Sequence, residues 1–282
     1  MEIVTKIAPI ALALIMLGLG LGLTTQDFAR VTKNPKDFTI GFLCQMILLP
    51  IIAFILIKIF NTPLELAIGV MIIAASPGGV TSNILTKFSN GDVALSISLT
   101  AVISLISIFS VPFVVFKSAE LLKITYLTNN ISMLSISLKM FLVVALPVII
   151  GMIARKLAPN FVISKTLLIQ RISIILFVII FIGIWVEEWD KIISFIVRAG
   201  SITLTLNIIM MLVGYYVAKL FASGQAQRKC IALECGLQNG TLAVFVTSQL
   251  FDNIVYMVPT AAYALIMFIT SIGFMFIVKN IK

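Results

Sequence analysis

The chain has 282 residues, 61% of them hydrophobic and 11% charged, with a formal net charge of +9. Apolar content this high, spread over the whole length, excludes a soluble globular protein and leaves no room for a separate soluble domain. The basic residues cluster between apolar runs, so the charge reads as topology-setting loop charge rather than a nucleic-acid surface.

Nine apolar segments are each long enough to cross about 30 Å of hydrocarbon. They run at about 5–24, 38–60, 64–89, 92–116, 133–154, 166–186, 196–221, 228–251 and 256–278. The first, Ile7 to Leu23, is long for the apolar core of a signal peptide and ends without a small-x-small cleavage site, so it reads as a transmembrane helix. Asn61-Thr62-Pro63, Ser89-Asn90-Gly91 and Ala222-Ser223-Gly224 carry turn chemistry. The stretches 117–132 and 155–165 have room for short surface helices. Thirteen Lys and Arg gather on one side of the membrane and seven on the other. That imbalance predicts the N-terminus outside and the C-terminus in the cytoplasm.

Two segments are broken. The third runs through Ser76-Pro77-Gly78-Gly79-Val80-Thr81-Ser82-Asn83, where proline removes a backbone donor and two glycines release the dihedrals. The eighth is interrupted at Glu234-Cys235-Gly236-Leu237-Gln238-Asn239-Gly240. Irregular backbone at membrane depth is tolerated only where protein buries it or water reaches it. A pair of such breaks in opposite-running segments of the two halves points to a transporter site built from inverted repeats. The first repeat is expected at about 1–117 and the second at about 133–282. Gln45 precedes the first break by roughly the spacing at which Asn207 precedes the second.

Of the eleven acidic residues, Glu234 alone falls at membrane depth, where an ionisable group costs about 3 kcal/mol. The plainer alternative is a protonated acid that glues helices together. Counted at 1.5 Å per residue from the cytoplasmic ends of their helices, Gln45, Asn83, Ser96, Thr100, Glu234 and Gln238 share one slab at about 6–14 Å depth. Ser96 and Thr100 are four apart and lie on one face. One carboxylate with amide, hydroxyl and main-chain oxygens makes a hard-oxygen site suited to a monovalent cation, and it carries too little charge for calcium. Bonding of Ser96 and Thr100 to their own helix carbonyls is the alternative.

The chain has no histidine and three cysteines, Cys44, Cys230 and Cys235, which read as packing residues without disulfide or metal role. Without histidine a serine mechanism lacks its base, and no two aspartates face each other at membrane depth, so no enzyme is expected. A passive channel is a further alternative. Ala261, Leu265 and Ile269 are expected on the cavity face of the last helix. Phe251, Tyr256, Tyr263 and Phe268 read as interface anchors and packing.

Ser76-Pro77-Gly78-Gly79-Val80-Thr81-Ser82-Asn83, Asn90-Gly91-Asp92-Val93-Ala94-Leu95-Ser96 and Glu234-Cys235-Gly236-Leu237-Gln238-Asn239 together resemble the bile acid:sodium symporter family. The resemblance implies an all-α polytopic fold of inverted repeats, here in a nine-helix form. It implies a core domain at about 38–116 and 196–278 with two broken crossing helices, and a panel at about 5–24 and 133–186. It also implies one sodium site at Ser82, Asn83, Ser96, Thr100 and Glu234, and a second at Gln45, Glu234, Gln238 and the main-chain oxygens of Cys235 and Leu237. The expected function is Na⁺-coupled import of a small organic anion across the cell membrane by alternating access. A proton-coupled carrier with Glu234 as the titrating group is the alternative. The half-helix start at Gly79, Val80 and Thr81, with Asn239 and Gly240, is expected to receive the substrate. Na⁺ is the expected coupling ion and the lipid bilayer the expected surroundings. No organic cofactor, nucleic acid or obligate protein partner is expected.

Overall fold

A computed structural model describes residues 2–33, 35–124, 131–187 and 189–281. Among these the regular structure is helical throughout. The helices are α1 (Glu2–Gly22), α2 (Thr25–Lys33), α3 (Pro35–Ile59), α4 (Leu64–Ala75), α5 (Val80–Phe88) and α6 (Val93–Leu121). After the undescribed residues 125–130 follow α7 (Met133–Leu157), α8 (Pro159–Glu187), α9 (Trp189–Phe221), α10 (Gln225–Gly236), α11 (Gly240–Leu250) and α12 (Ile254–Val278). Helices α3, α6, α7 and α12, and α9 from Ile196, are each long and apolar enough to cross a membrane unaided, and the bent pair α1–α2 makes a sixth candidate.

Local chemistry accounts for the irregularities. Each of α3 and α7 contains a π-helical turn, Cys44–Leu48 and Phe141–Ala145, and in each a proline, Pro50 or Pro147, is the second residue after the turn. A proline ring clashes with the carbonyl four residues earlier, here in the middle of the π turn, and widening that turn relieves the clash. Asp92 starts α6 by accepting the Leu95 N–H at 3.0 Å, and Asn253 does the same for Val255 at the start of α12.

Of the two stretches expected to hold surface helices, 117–132 lies partly outside the described residues and 155–165 is overturned. Leu157 ends α7 and Pro159 begins α8, so 155–165 holds no separate helix. Instead α2 turns 68° from α1. Its entry is fixed by Thr24, whose N–H and hydroxyl both donate to Asp27 Oδ2 at 2.8 Å. None of its residues is buried, and only Phe28 and Val31 lean on the core. It is an amphipathic helix lying against the bundle.

Helix α1 packs along α7 and α8, α4 along α3 and α6, and α9 along α10 and α12. Small residues let α1 and α7 touch backbone to backbone: a methyl group on Gly151 would come within 2.7 Å of the Leu21 nitrogen. The acids at helix ends fasten neighbouring elements. Asp37 in the first turn of α3 accepts the Ser223 N–H at 2.8 Å. Asp92 accepts Gln227 Nε2 at 2.9 Å, and the Asp92 N–H donates to Ala226 O at 3.0 Å. The α5–α6 turn is thereby tied to the first turn of α10.

Candidate functional site

The two broken segments meet. Helix α4 ends at Ala75 and α5 begins at Val80; α10 ends at Gly236 and α11 begins at Gly240. Between them Gly78 and Gln238 pair as an antiparallel β-bridge, and the Asn239 N–H donates to Pro77 O at 2.7 Å. The backbone groups freed by one break are therefore partly satisfied by the other. About this bridge the two halves correspond residue by residue: Gly79 and Asn239 are the caps of the outgoing helices, and Val80 and Gly240 their first residues.

The Glu234 carboxylate is fully buried beside this crossing. Its Oε1 accepts from Ser82 Oγ and Ser96 Oγ, each at 2.5 Å, and Thr100 Oγ1 donates at 3.2–3.3 Å to either oxygen. Ser96 Oγ is also 2.7 Å from Asn83 Oδ1, and Ser82 Oγ is 2.7 Å from Gly79 O. The five residues expected for one site thus come together from α5, α6 and α10. Three hydroxyls supply three protons, and the close oxygen pairs around them outnumber those protons. Such an oxygen-rich shell lacks positive charge, and a cation suits it. Glu234 brings one negative charge to this shell, which suits a monovalent ion and is too little for calcium.

The second expected set shares Glu234 with the first and gathers about Gln238 of the bridge. Gln45 Nε2 is 3.5 Å from Gln238 Oε1, and Gln45 Oε1 is buried without a hydrogen-bond partner. Gln238 Nε2 lies 3.0 Å from Cys235 O and 3.4 Å from Glu234 O. A buried amide oxygen without a partner, such as Gln45 Oε1, fits a small cation. Gly78 separates the two sets: a methyl group there would lie 2.6 Å from Glu234 Oε2 and 3.2 Å from Gln45 Nε2.

A cavity of about 210 Å³ opens beside the crossing. Gly79, Val80, Thr81, Asn239 and Gly240 all line it, so both half-helix N-termini face one space. Helix α5 starts there without a side-chain cap, while Asn239 spends its Oδ1 on the Leu242 N–H at 3.0 Å. Thr100, Gln238 and Thr241 also reach it at the crossing, and the rest of the wall is apolar: Ile15, Met16 and Leu19 of α1, Ile84 of α5, Val178 of α8, and Met267 and Phe268 of α12.

The wall corrects the expected face of α12. Ala261 is buried, but Leu265 and Ile269 are 51% and 73% exposed on the outside of the bundle. Phe268 faces the cavity instead of anchoring at an interface. Tyr263 is core, its hydroxyl donating to Gly236 O at 3.1 Å, and Phe251 stacks on Tyr256 with ring centroids 3.8 Å apart. Asn207, noted only as the counterpart of Gln45, donates its Nδ2 to the same Gly236 O at 2.7 Å and accepts Thr270 Oγ1 at 2.6 Å. The α1 wall carried no signal, because every position from Ile7 to Leu23 is apolar or small.

The chain matches the model of the sodium bile acid symporter family over residues 9–195. It is 30% identical over 263 residues to a probable chloroplastic sodium/metabolite cotransporter of Oryza sativa subsp. japonica, covering 91% of this chain and 60% of that protein. It is 28% identical over 255 residues to an uncharacterized sodium-dependent transporter of Bacillus subtilis, covering 90% of this chain and 77% of that one. Similarity to the mouse ileal sodium/bile acid cotransporter extends over 279 residues at 28% identity, covering 91% of this chain and 74% of the mouse protein.

Proposed function

This chain belongs to the sodium bile acid symporter family, a family of transporters and not of enzymes, and from that premise we propose that it imports a small organic anion by sodium-coupled alternating access. The observation that carries the reading is the Glu234 shell, in which one buried carboxylate and a ring of oxygens from three helices await positive charge. In this reading the chain crosses the membrane nine times, with α4–α5 and α10–α11 each forming one broken span. The core comprises α3–α6 and α9–α12, and the panel α1, α7 and α8. The N-terminus is outside.

Ser82, Asn83, Ser96, Thr100 and Glu234 hold one Na⁺, which offsets the charge of the acid and draws α5, α6 and α10 together. Gln45, Glu234, Gln238 and the carbonyls of Cys235 and Leu237 hold a second. There the Gln238 side chain must turn to present Oε1, because its Nε2 occupies the place beside Cys235 O. With both ions bound the crossing carries net positive charge. The open N-terminus of α5 at Gly79, Val80 and Thr81, and that of α11 at Gly240 beside Asn239, then offer N–H donors and positive dipole ends to a substrate carboxylate. The apolar wall from α1 and α12 receives the substrate's body. Without sodium, Glu234 repels the anion, and coupling follows from charge balance.

Ligand pockets for drug-sized molecules run to about 300–1,000 Å³, so a cavity of about 210 Å³ favours a small anion in this conformation. A proton on Glu234 is the rival source of positive charge, since it too relieves the surplus of oxygen contacts. Uptake into proteoliposomes separates the two: Na⁺ replaced by choline at fixed pH, then pH varied at fixed Na⁺, over a panel of radiolabelled organic anions. Accumulation that follows the Na⁺ gradient supports the symporter; accumulation that follows only the proton gradient replaces it with the carrier.

A further inference from the structure

We propose that the groove between α3 and α9 is a binding site for one anionic phospholipid. The groove measures about 780 Å³ and lies on the outside of the bundle, away from the crossing. Its floor is apolar, made by Ile40, Leu43, Ile47 and Leu48 of α3 with Val217 and Phe221 of α9. Lys36 is the only charged residue that lines it among those described. The neighbouring acid, Asp37, is buried and engages its Oδ1 with the Ser223 N–H at 2.8 Å, and among the described residues it makes no ion pair with Lys36.

Position and length both suit a lipid. Lys36 stands in the first turn of α3, immediately after the surface helix α2 ends at Lys33, and so at headgroup level. From Pro35 to Leu48 the groove follows thirteen residue steps of helix, roughly 20 Å at 1.5 Å per residue. One leaflet contributes about half of a 30 Å hydrocarbon core, so a headgroup on Lys36 lets an acyl chain run the length of the groove. An alkyl chain covers the apolar floor, and the phosphate meets the one cation.

The occupant touches a sensitive element. Cys44, Ile47 and Leu48 of the π turn line the groove, while Gln45 of the same turn points inward to Gln238. A lipid seated here packs against the outer face of the turn that presents Gln45.

The test uses the full chain in nanodiscs containing phosphatidylglycerol with a photoactivatable diazirine in its acyl chain, followed by peptide mapping. Labelling is expected to concentrate on Ile40, Leu43 and Ile47. Lys36→Gln should lower it about fivefold, the worth of one cation at an anionic headgroup. Lys156→Gln, an exposed charge on α7, should leave it unchanged. Ile47→Trp, which fills the groove, should abolish it, and a phosphatidylcholine analogue should label no better than Lys36→Gln does. Equal labelling by the two lipids, or phosphatidylglycerol labelling of α3 that survives both Lys36→Gln and Ile47→Trp, overturns the proposal.

Discussion

Ala74 and Glu234 occupy equivalent places in the two broken helices, each four residues before the bridge pair Gly78–Gln238. Around Glu234 the opposing half-helix supplies Ser82 and Asn83; around Ala74 the corresponding positions after the bridge are Leu242 and Ala243. The backbone is duplicated, but the polar shell is built on one side only. The oxygen-bearing side chains at this depth are therefore asymmetric about the crossing, and they centre on a single carboxylate.

Substitution of the shell hydroxyls should weaken sodium without dismantling the fold. Ser96→Ala removes the group that bridges Glu234 Oε1 and Asn83 Oδ1. Loss of a hydrogen bond to a charged group costs about 1.5–3 kcal/mol, so the half-saturating Na⁺ concentration should rise roughly ten- to hundredfold. Thr100→Val, which loses longer contacts of 3.2–3.3 Å, should shift it less. Sodium titrations of uptake check both.

Gly78→Ala should be more damaging than its size suggests. The added methyl group falls 2.6 Å from Glu234 Oε2 and 3.2 Å from Gln45 Nε2, between the two oxygen sets. Overpacking of this kind costs about 1–3 kcal/mol, and here the cost falls on the ion ligands. Sodium dependence should be lost or strongly weakened while the purified protein stays monodisperse on size exclusion.

The carbonyl of Gly236 gives a stability test. It accepts from Asn207 Nδ2 and from the Tyr263 hydroxyl. Tyr263→Phe leaves one donor in place and should lower the melting temperature slightly. Asn207→Leu removes the shorter bond, leaves the Thr270 hydroxyl only carbonyls of its own helix, such as Ile266 O, to donate to, and should cost about 1–3 kcal/mol. The double variant should exceed the sum of the two, because only then is the buried carbonyl left without any donor.

The apolar wall predicts selectivity. Phe268→Ala and Met16→Ala enlarge the cavity on the α12 and α1 sides. Each should broaden the range of anions that compete for uptake towards bulkier bodies, with sodium dependence unchanged. Competition assays with carboxylates of increasing size measure this.

The polar half of this site was legible in the sequence because oxygen-bearing side chains at membrane depth stand out against hydrocarbon. Glu234, Ser96, Thr100, Gln45 and Gln238 could be placed at one level by counting residues, and the breaks by Pro77, Gly78, Gly79, Gly236 and Gly240. The apolar half was not. Ile15, Met16 and Leu19 sit in a helix that is hydrophobic on every face, so nothing in its pattern says which face meets the cavity. The same cause misplaced Leu265 and Ile269: α12 is apolar all round, and a four-residue step from Ala261 carried the count onto the outer surface. Helix α2 was passed over because its nine residues are mostly polar and only Phe28 and Val31 mark its inner face.

The claim beneath all of this is that a sodium ion is held at Glu234, and it can be measured without knowing the transported anion. Binding of ²²Na⁺ to the purified full-length chain should be saturable, displaced by unlabelled NaCl but not by KCl. It should be lost in Glu234→Gln, which keeps the side chain's shape and removes its charge. No saturable binding in the unaltered protein, or binding that persists undiminished in Glu234→Gln, would contradict it.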